Sequence, residues 1–417
     1  MYLGISCLRS DWYGVEVADQ PGRELQVRRL EKRTGVLPEE GILARLESLV
    51  DLTPHNLKSE SGNGLRTTEE EASHHAFEVL EGTDVGRWCH DWGEKQTSPV
   101  DIVGISHPYA LSPATRRALS ALADGVKPVR ARRRSGRDVS HVDLESDGDT
   151  PRLCALETPL AVALELAATK QVEMPSVLVI VSPGSSGHEV TVIDVRRTVE
   201  SLKLSVTGFG QLSQTSLSVQ HLTAWNCGTR IDASAIVHVG DDAADPAKQI
   251  SELLNTPNVI SATEFDAAAG VARYAVLCDK RNLKLAGTTI SGLDCRLIAP
   301  HAIGICCRSE SEGDSDIYWC PVIEARAPLS DQEIAVRLGM PFPDEIVLAE
   351  CVSSTRDPQT WVVGLQDLRW HSHVGLLDDR DPGQATGECQ LSLRIEGSAG
   401  CTHYGWSDPI ARAEIRS

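Results

Sequence analysis

The sequence has no long apolar run. No window approaches the roughly 18 consecutive apolar residues that a membrane-spanning helix requires. The opening "MYLGISCLRSDW" has neither a basic start nor an apolar stretch long enough for a signal peptide. We therefore expect a cytoplasmic protein without a membrane partner.

Basic residues are outnumbered. The chain has 40 Lys and Arg against 59 Asp and Glu, a formal net charge of −19, which opposes attraction to nucleic acid or anionic membranes. The one arginine-rich run, residues 130–137, is followed directly by acidic residues up to Asp149 that can neutralise it. This pattern favours a solvated loop, and no nucleic-acid partner is predicted.

Several motifs of metal and covalent chemistry are missing. The 12 cysteines form no CxxC pair and no spacing typical of zinc sites, so we expect buried reduced thiols. His371 and His373 alternate on a predicted strand, but no third ligand follows at a fixed spacing, and no metal site is predicted. The chain also lacks a Walker GxxxxGK[ST] loop and a GxSxG elbow. Covalent catalysis has no support.

The stretch "VLVIVSPGSSGHEVTVIDV", residues 177–195, is the most informative one present. Two alternating apolar runs flank a Gly/Ser-rich break, which predicts two strands and a turn. A small-residue turn can also present backbone N–H groups to a phosphate. The pattern alone leaves a plain hairpin and a nucleotide loop both open.

Predicted strands and helices alternate in the first two thirds of the chain. The clearest helices are "PLAVALELAATK", opened by Thr158, and "EFDAAAGVARYAVLC", which ends at Cys278. From about Thr288 onward, short apolar runs recur between turns without helical periodicity, which indicates antiparallel strands. We expect an α/β domain over 1–288 and a β domain over 289–417.

Five segments in this order resemble the actin-like ATPase domain of the 70-kDa heat-shock chaperones (DnaK type). They are "LGISCLRS", "GISHPYALSPATRRALSALADG", "LETPLAVALELA", the 177–195 stretch and "VGDDAADP". The β region resembles the peptide-binding domain of that family. The resemblance implies an α/β actin-like (ribonuclease H-like) two-lobed domain with reduced subdomains, lobe I about 1–170 and lobe II about 175–288. An antiparallel β-sandwich would follow.

The resemblance also implies which residues lie at a nucleotide site. The candidates by position are Ser6, Arg9, Ser10, Gly184, Ser185, Ser186 and Gly240. Glu157 or Thr158 corresponds to the glutamate of the family, depending on a one-residue gap.

The metal-side positions of this site have lost their carboxylates. The two metal-side aspartates of the family correspond to Ser6 and Val181, and Asp241 and Asp242 place negative charge where phosphates would lie. Because magnesium in phosphoryl transfer is held by carboxylates, we predict no catalytic residue, no metal and no resident cofactor.

An alternative hypothesis keeps ATP and Mg²⁺. In that case Arg9, Ser10, Ser185 and Ser186 would hold the phosphates of a weakly hydrolysing chaperone.

The β region carries the other candidate site. "APHAIGICCR" and "EIVLAECVSS" resemble strands that line the peptide groove of the family, which makes Ile305, Cys307, Val347 and Ala349 candidates for peptide binding. The sequence thus predicts a chaperone-related protein that binds protein or peptide segments, or acts as a scaffold, without ATP turnover.

Overall fold

The computed structural model describes the chain in several ranges. They are residues 2–6, 11–18, 26–30, 33–34, 102–110, 152–184, 187–212, 217–279, 281–285, 288–308, 317–329, 332–338, 345–351, 362–363, 368–375, 389–398 and 401–406. The predicted helix that follows residue 110 and the arginine-rich run at 130–137 lie outside these ranges.

The first sheet combines an antiparallel hairpin with parallel strands. Its strands are β1 (Tyr2–Ser6), β2 (Asp11–Ala18), β3 (Gln26–Arg29), β4 (Arg33–Thr34), β5 (Ile102–His107) and β6 (Arg152–Glu157). The spatial order is β3-β2-β1-β5-β6, and β4 also pairs with β2. Strand β2 runs antiparallel to β1 and β3, whereas β1, β5 and β6 are parallel to one another.

The second sheet repeats this order. After helix α1 (Thr158–Ala168), its elements are β7 (Ser176–Gly184), β8 (Gly187–Arg197), β9 (Ser201–Leu212), α2 (Val219–Trp225), β10 (Ala235–Val239), α3 (Ala244–Leu254) and β11 (Val259–Ala262), followed by α4 (Glu264–Cys278). The order β9-β8-β7-β10-β11 matches the first sheet strand for strand, with the same antiparallel and parallel pairs. The described strands of the two sheets therefore share one strand order and one set of pairing directions.

The 177–195 stretch is a hairpin, as predicted. Strands β7 and β8 pair antiparallel from Ser176 opposite Val195 to Gly184 opposite Gly187. Strand β9 continues the meander. The side chains on both faces are buried over most of β7, which explains its continuous apolar run.

Helices α1 and α4 pack between the two sheets. Helix α1 follows the last strand of the first sheet but shares an apolar cluster with Leu178 and Ile193 of the second. Helix α4 follows the second sheet but packs on Tyr2 and Val15 of the first. The helices themselves touch where the backbone of Gly270 meets the carbonyl of Ala161, with no room for a side chain. Their buried residues on almost every side explain their uniformly apolar sequences.

Only strands are described after α4. They are β12 (Leu283–Leu285), β13 (Thr288–Ile290), β14 (Gly292–Ile298), β15 (Ala302–Arg308), β16 (Ile317–Ile323), β17 (Pro328–Leu329), β18 (Gln332–Leu338), β19 (Glu345–Cys351), β20 (Val362–Val363), β21 (Leu368–Gly375), β22 (Cys389–Ser398) and β23 (Cys401–Trp406). Among these described strands, three separate antiparallel sheets form: β12-β13, β20-β16-β15-β19-β21 and β18-β22-β23. The expected antiparallel pairing is present, and their assembly into a sandwich remains a prediction.

The second sheet continues across the predicted domain boundary at 288. Strand β14 pairs parallel with β9, and β17 pairs with β14, so both extend that sheet. The C-terminal region is thus joined to the second lobe by strand hydrogen bonds. The sequence pattern alone gave no sign of this pairing because a parallel partner lies far away along the chain.

Candidate functional site

The two repeats begin with equivalent antiparallel pairs, β1–β2 and β7–β8. Four candidates, Arg9, Ser10, Ser185 and Ser186, belong to the segments between these strands along the chain and lie outside the described residues. Ser6, Gly184 and Gly240 are described, and each lies at the end of a strand or immediately after one.

A carboxylate of the chain itself lies at the β7–β8 hairpin. Glu189 is only 1% exposed. Its Oε2 accepts a hydrogen bond from the backbone N–H of Tyr109 at 2.8 Å, and its Oε1 accepts one from Ala110 at 3.3 Å. A Cβ added to Gly184 would lie 2.5 Å from Glu189 Cγ, so this side chain crosses directly over the glycine. Backbone donors next to the small-residue turn therefore already hold an anion.

The hairpin is also tied to the turn after β10. His188 Nε2 lies 2.8 Å from Asp242 Oδ2, and both side chains are partly exposed. In that turn Gly240 has φ 80°, a conformation that favours glycine. A Cβ there would lie 3.1 Å from Glu264 Oε1 and 3.2 Å from Asp242 Oδ1. The turn of the "VGDDAADP" segment is thus lined by carboxylates.

Neither metal-side position supplies a ligand for magnesium. Ser6 ends β1 with no exposed surface, and its hydroxyl has no hydrogen-bond partner. Val181 is fully buried in an apolar cluster with Val190 and Ala243. A hydrated Mg²⁺ needs charged oxygen ligands, and these two residues offer one neutral hydroxyl.

Further hydroxyls are buried at the ends of the strands. Ser106 is in register with Ser6. The side-chain hydroxyls of Ser106, Ser182 on β7 and Thr158 at the start of α1 have no hydrogen-bond partner in the described structure. Glu157, the last residue of β6, is the N-cap of α1. Both residues that could correspond to the family glutamate, Glu157 and Thr158, therefore lie at this junction, fully buried.

The cysteine prediction holds in part. Cys351 is buried, and Cys154, Cys278 and Cys295 are half-buried, but Cys227 and Cys320 are exposed. Burial raises the pKa of the Cys295 thiol well above its ordinary value, and the charge of Glu157 raises it further. Because the thiolate is the nucleophile, Cys295 is held in its unreactive form. Burial likewise raises the pKa of Tyr274, beside Cys278 and Cys154.

The four peptide-binding candidates do not share one face. In the antiparallel pair β15–β19, Ile305 lies opposite Leu348, whereas Val347 lies opposite Cys306. Directly paired residues occupy the same face and neighbours along a strand alternate. Ile305 and Cys307 are therefore on one face, and Val347 and Ala349 are on the other. The expectation that all four line one groove is corrected by this register.

Strand β16 shows how the two faces differ. Trp319, opposite Cys306, is fully buried, whereas Cys320, opposite Ile305, is exposed. The face of Val347 and Ala349 is thus the one that carries a buried tryptophan, as expected of a core. The face of Ile305 and Cys307 carries exposed Cys320 at this point, whereas two residues back along β15 the same face carries buried Ile303 and its partner Glu350.

Sequence reasoning missed three residues of the site: Tyr109, His188 and Glu189. A signal for Glu189 was present, because alternation puts it on the same face as Thr191 and Ile193, and an acidic residue on a buried strand face is uncommon. Its partners could not be found this way, since Tyr109 lies 80 positions earlier.

Two kinds of feature are absent from the described part of the chain. None of its helices combines the length and apolar character needed to cross a membrane. Within the same ranges, no three His, Cys, Asp or Glu side chains are grouped as metal ligands.

The repeated mixed sheets fit a coarse actin-like fold. No protein-family model matches the sequence, and no curated protein does. Among solved structures, the chain is similar to the Aquifex aeolicus member of the Ppx/GppA protein family, with 13% identity and a TM-score of 0.27 over 58% of this chain. The match covers 66% of that protein, just under two thirds of its length. A TM-score this low supports no argument about the fold, so the comparison with an actin-like fold rests on the strand order alone.

Proposed function

We propose that this protein is a non-hydrolysing, chaperone-related interaction protein whose phosphate-type site is filled by its own Glu189. The contact that carries the proposal is the pair of hydrogen bonds from the Tyr109 and Ala110 amides to that carboxylate. An incoming phosphate that used these amides would first have to displace a buried, charge-assisted pair of bonds. It would then meet Asp242 and Glu264 at the neighbouring turn.

The residues at the two positions that the resemblance places beside the metal support the same proposal. Ser6 and Val181 leave no carboxylate to hold magnesium, and ATP without a bound cation would add its negative charge to an already acidic region. The absence of ATP turnover therefore follows from repulsion between ATP and these carboxylates, and also from the occupation of the Tyr109 and Ala110 amides by Glu189. The alternative, in which Arg9 and Ser185 hold the phosphates of a weak ATPase, predicts the opposite result in a direct titration.

We expect Mg·ATP at millimolar concentration to leave the melting temperature of the full chain unchanged. A ligand present at about 100 times its Kd would stabilise the folded state by about 2.7 kcal/mol, which differential scanning fluorimetry detects readily. Isothermal titration calorimetry on the same protein gives the independent reading, and Mg·ADP is the matched ligand control. Micromolar binding together with phosphate release would contradict the proposal and favour the weak ATPase.

Binding of protein segments is assigned to the face of Ile305. Ile305 lies on the central strand of the sheet β20-β16-β15-β19-β21, so a bound segment would lay apolar side chains against this face of the sheet and would not add a strand beside β15. The exposure of Cys320, opposite Ile305, supports the choice of this face over that of Val347. This half of the proposal rests on strand register and on the resemblance to the peptide-binding domain.

Ile305→Ser should weaken the binding of unfolded or peptide clients at least fivefold, because apolar contact is lost on the binding face. The measurement is fluorescence anisotropy with a library of labelled apolar peptides. Val347→Ser, on the opposite face, is the matched control and should lower thermal stability without a specific loss of binding. Equal affinities for the wild type and Ile305→Ser would remove this face from consideration.

A further inference from the structure

Tyr109 connects three separate parts of the molecule. It follows strand β5 and is 1% exposed. Its backbone N–H donates to Glu189 of the β7–β8 hairpin at 2.8 Å. Its hydroxyl donates to the carbonyl of Ile298 at 2.8 Å and accepts from the Ile298 N–H at 3.0 Å. A single residue thus bonds to the hairpin carboxylate and to the end of β14.

The hydroxyl satisfies both backbone groups of Ile298. The next residue, Ala299, donates to the carbonyl of Ala327 at 2.9 Å, so in this antiparallel pair the N–H and C=O of Ile298 point away from β17. The pairing of β14 with β9 ends at Arg296, and the Tyr109 hydroxyl bonds to Ile298 beyond that point. Because Ile298 is 5% exposed, loss of the hydroxyl would leave both of its backbone groups poorly satisfied.

Aromatic packing holds the ring against the same corner. The ring of Tyr109 lies 5.2 Å from that of Phe209, which in turn meets the ring of His301 edge-on at 6.1 Å. Arg326 Nε donates to the carbonyl of Phe209 at 2.9 Å. The residues just after β14 and just before β17 are therefore anchored around Phe209, next to Tyr109.

We propose that Tyr109 is a coupling residue that links the state of the Glu189 carboxylate to the end of β14. When Glu189 releases the two amides, the 109–110 backbone loses its hydrogen bonds to the β7–β8 hairpin. The Tyr109 hydroxyl then leaves Ile298, and the β14–β17 corner opens. Coupling between two sites is reciprocal, so loss of the Ile298 bonds must also loosen the bonds to Glu189. The inference does not depend on whether nucleotide binds.

Hydrogen exchange on the full-length protein tests both directions. Glu189→Gln should accelerate exchange of the Ile298 amide by about 5- to 150-fold, the range that typical coupling free energies give. Asp194→Asn is the matched control, since it makes the same carboxylate-to-amide change on β8 at a residue paired only with surface Arg196 in the described structure. In the control, exchange at Ile298 should equal that of the wild type.

The reverse direction uses Tyr109→Phe. Faster exchange of Ile298 in this variant is a direct effect, so the diagnostic amide is that of Ala110, which should also exchange several times faster. This variant retains the ring packing and provides the test if Glu189→Gln does not fold.

Two results would overturn the coupling. One is acceleration confined to residues 109–110 and the hairpin in Glu189→Gln; the other is an equal increase across all strands, which reports global unfolding. Neither exchange measurement involves ATP, so a negative result for the coupling would not change the result of the Mg·ATP titration that tests the proposed function.

Discussion

Arg273→Met is expected to lower the free energy of unfolding by about 3–5 kcal/mol, the cost of leaving one charge of a buried pair without its partner. Arg273 on α4 donates from Nε to Glu165 Oε2 on α1 at 2.6 Å, and its Nη2 lies 3.3 Å from Oε1. The side chains are 10% and 7% exposed, so solvent screens the pair little. This bidentate pair joins the two helices that pack between the sheets.

Urea denaturation followed by circular dichroism measures the loss. The double variant Glu165→Leu, Arg273→Leu should recover much of it, because apolar residues can replace a buried ion pair at little cost. Arg196→Met, which breaks an exposed pair with Asp194, is the control and should leave the denaturation midpoint unchanged. A loss below about 1 kcal/mol for Arg273→Met would show that the charge left on Glu165 reaches water.

Glu189→Ala is expected to cost about 2–4 kcal/mol. The substitution removes a charged acceptor from two backbone amides, and a buried donor left unsatisfied costs about 1–3 kcal/mol. Glu189→Gln retains one acceptor oxygen and should cost less than the alanine variant. The measurement is again the free energy of unfolding, with Asp194→Asn as the control on the same strand.

Restoration of stability by a small anion is a second test of the hydrogen bonds that Glu189 accepts. Formate should restore part of the stability of Glu189→Ala, since it can accept from the Tyr109 and Ala110 amides, and should do nothing for the wild type. Equal stabilities for Glu189→Ala and the wild type would mean that the two amides find other acceptors. The occupied phosphate-type site would then lose its main support.

Local features of the fold followed from the sequence. Alternation and the Gly/Ser break predicted the β7–β8 hairpin, and uniform apolar composition predicted that α1 is buried. These are properties of neighbouring residues, which short-range sterics and periodicity decide. The absence of carboxylates at Ser6 and Val181 could likewise be read directly, because it needs only the identity of the residue at a position.

The contact of the Glu189 carboxyl group with the Tyr109 and Ala110 amides could not be predicted in this way. Nothing near Glu189 in the chain indicates that its acceptors face Tyr109, or that His188 meets Asp242. The expectation that the four peptide-binding candidates share one face was wrong for a related reason. Period-two alternation places Ile305 with Cys307 and Val347 with Ala349, but it does not say whether these two pairs lie on the same face of the sheet.

The sequence by itself determined the elements, their order and the chemical groups available to them. Only the tertiary structure decided which of those groups meet, whether at the Glu189 amides, across the β15–β19 register or where β14 joins the second sheet. The physical reason is that local propensity acts over a few residues, whereas each of these contacts depends on chain segments brought together by packing of the two sheets around α1 and α4.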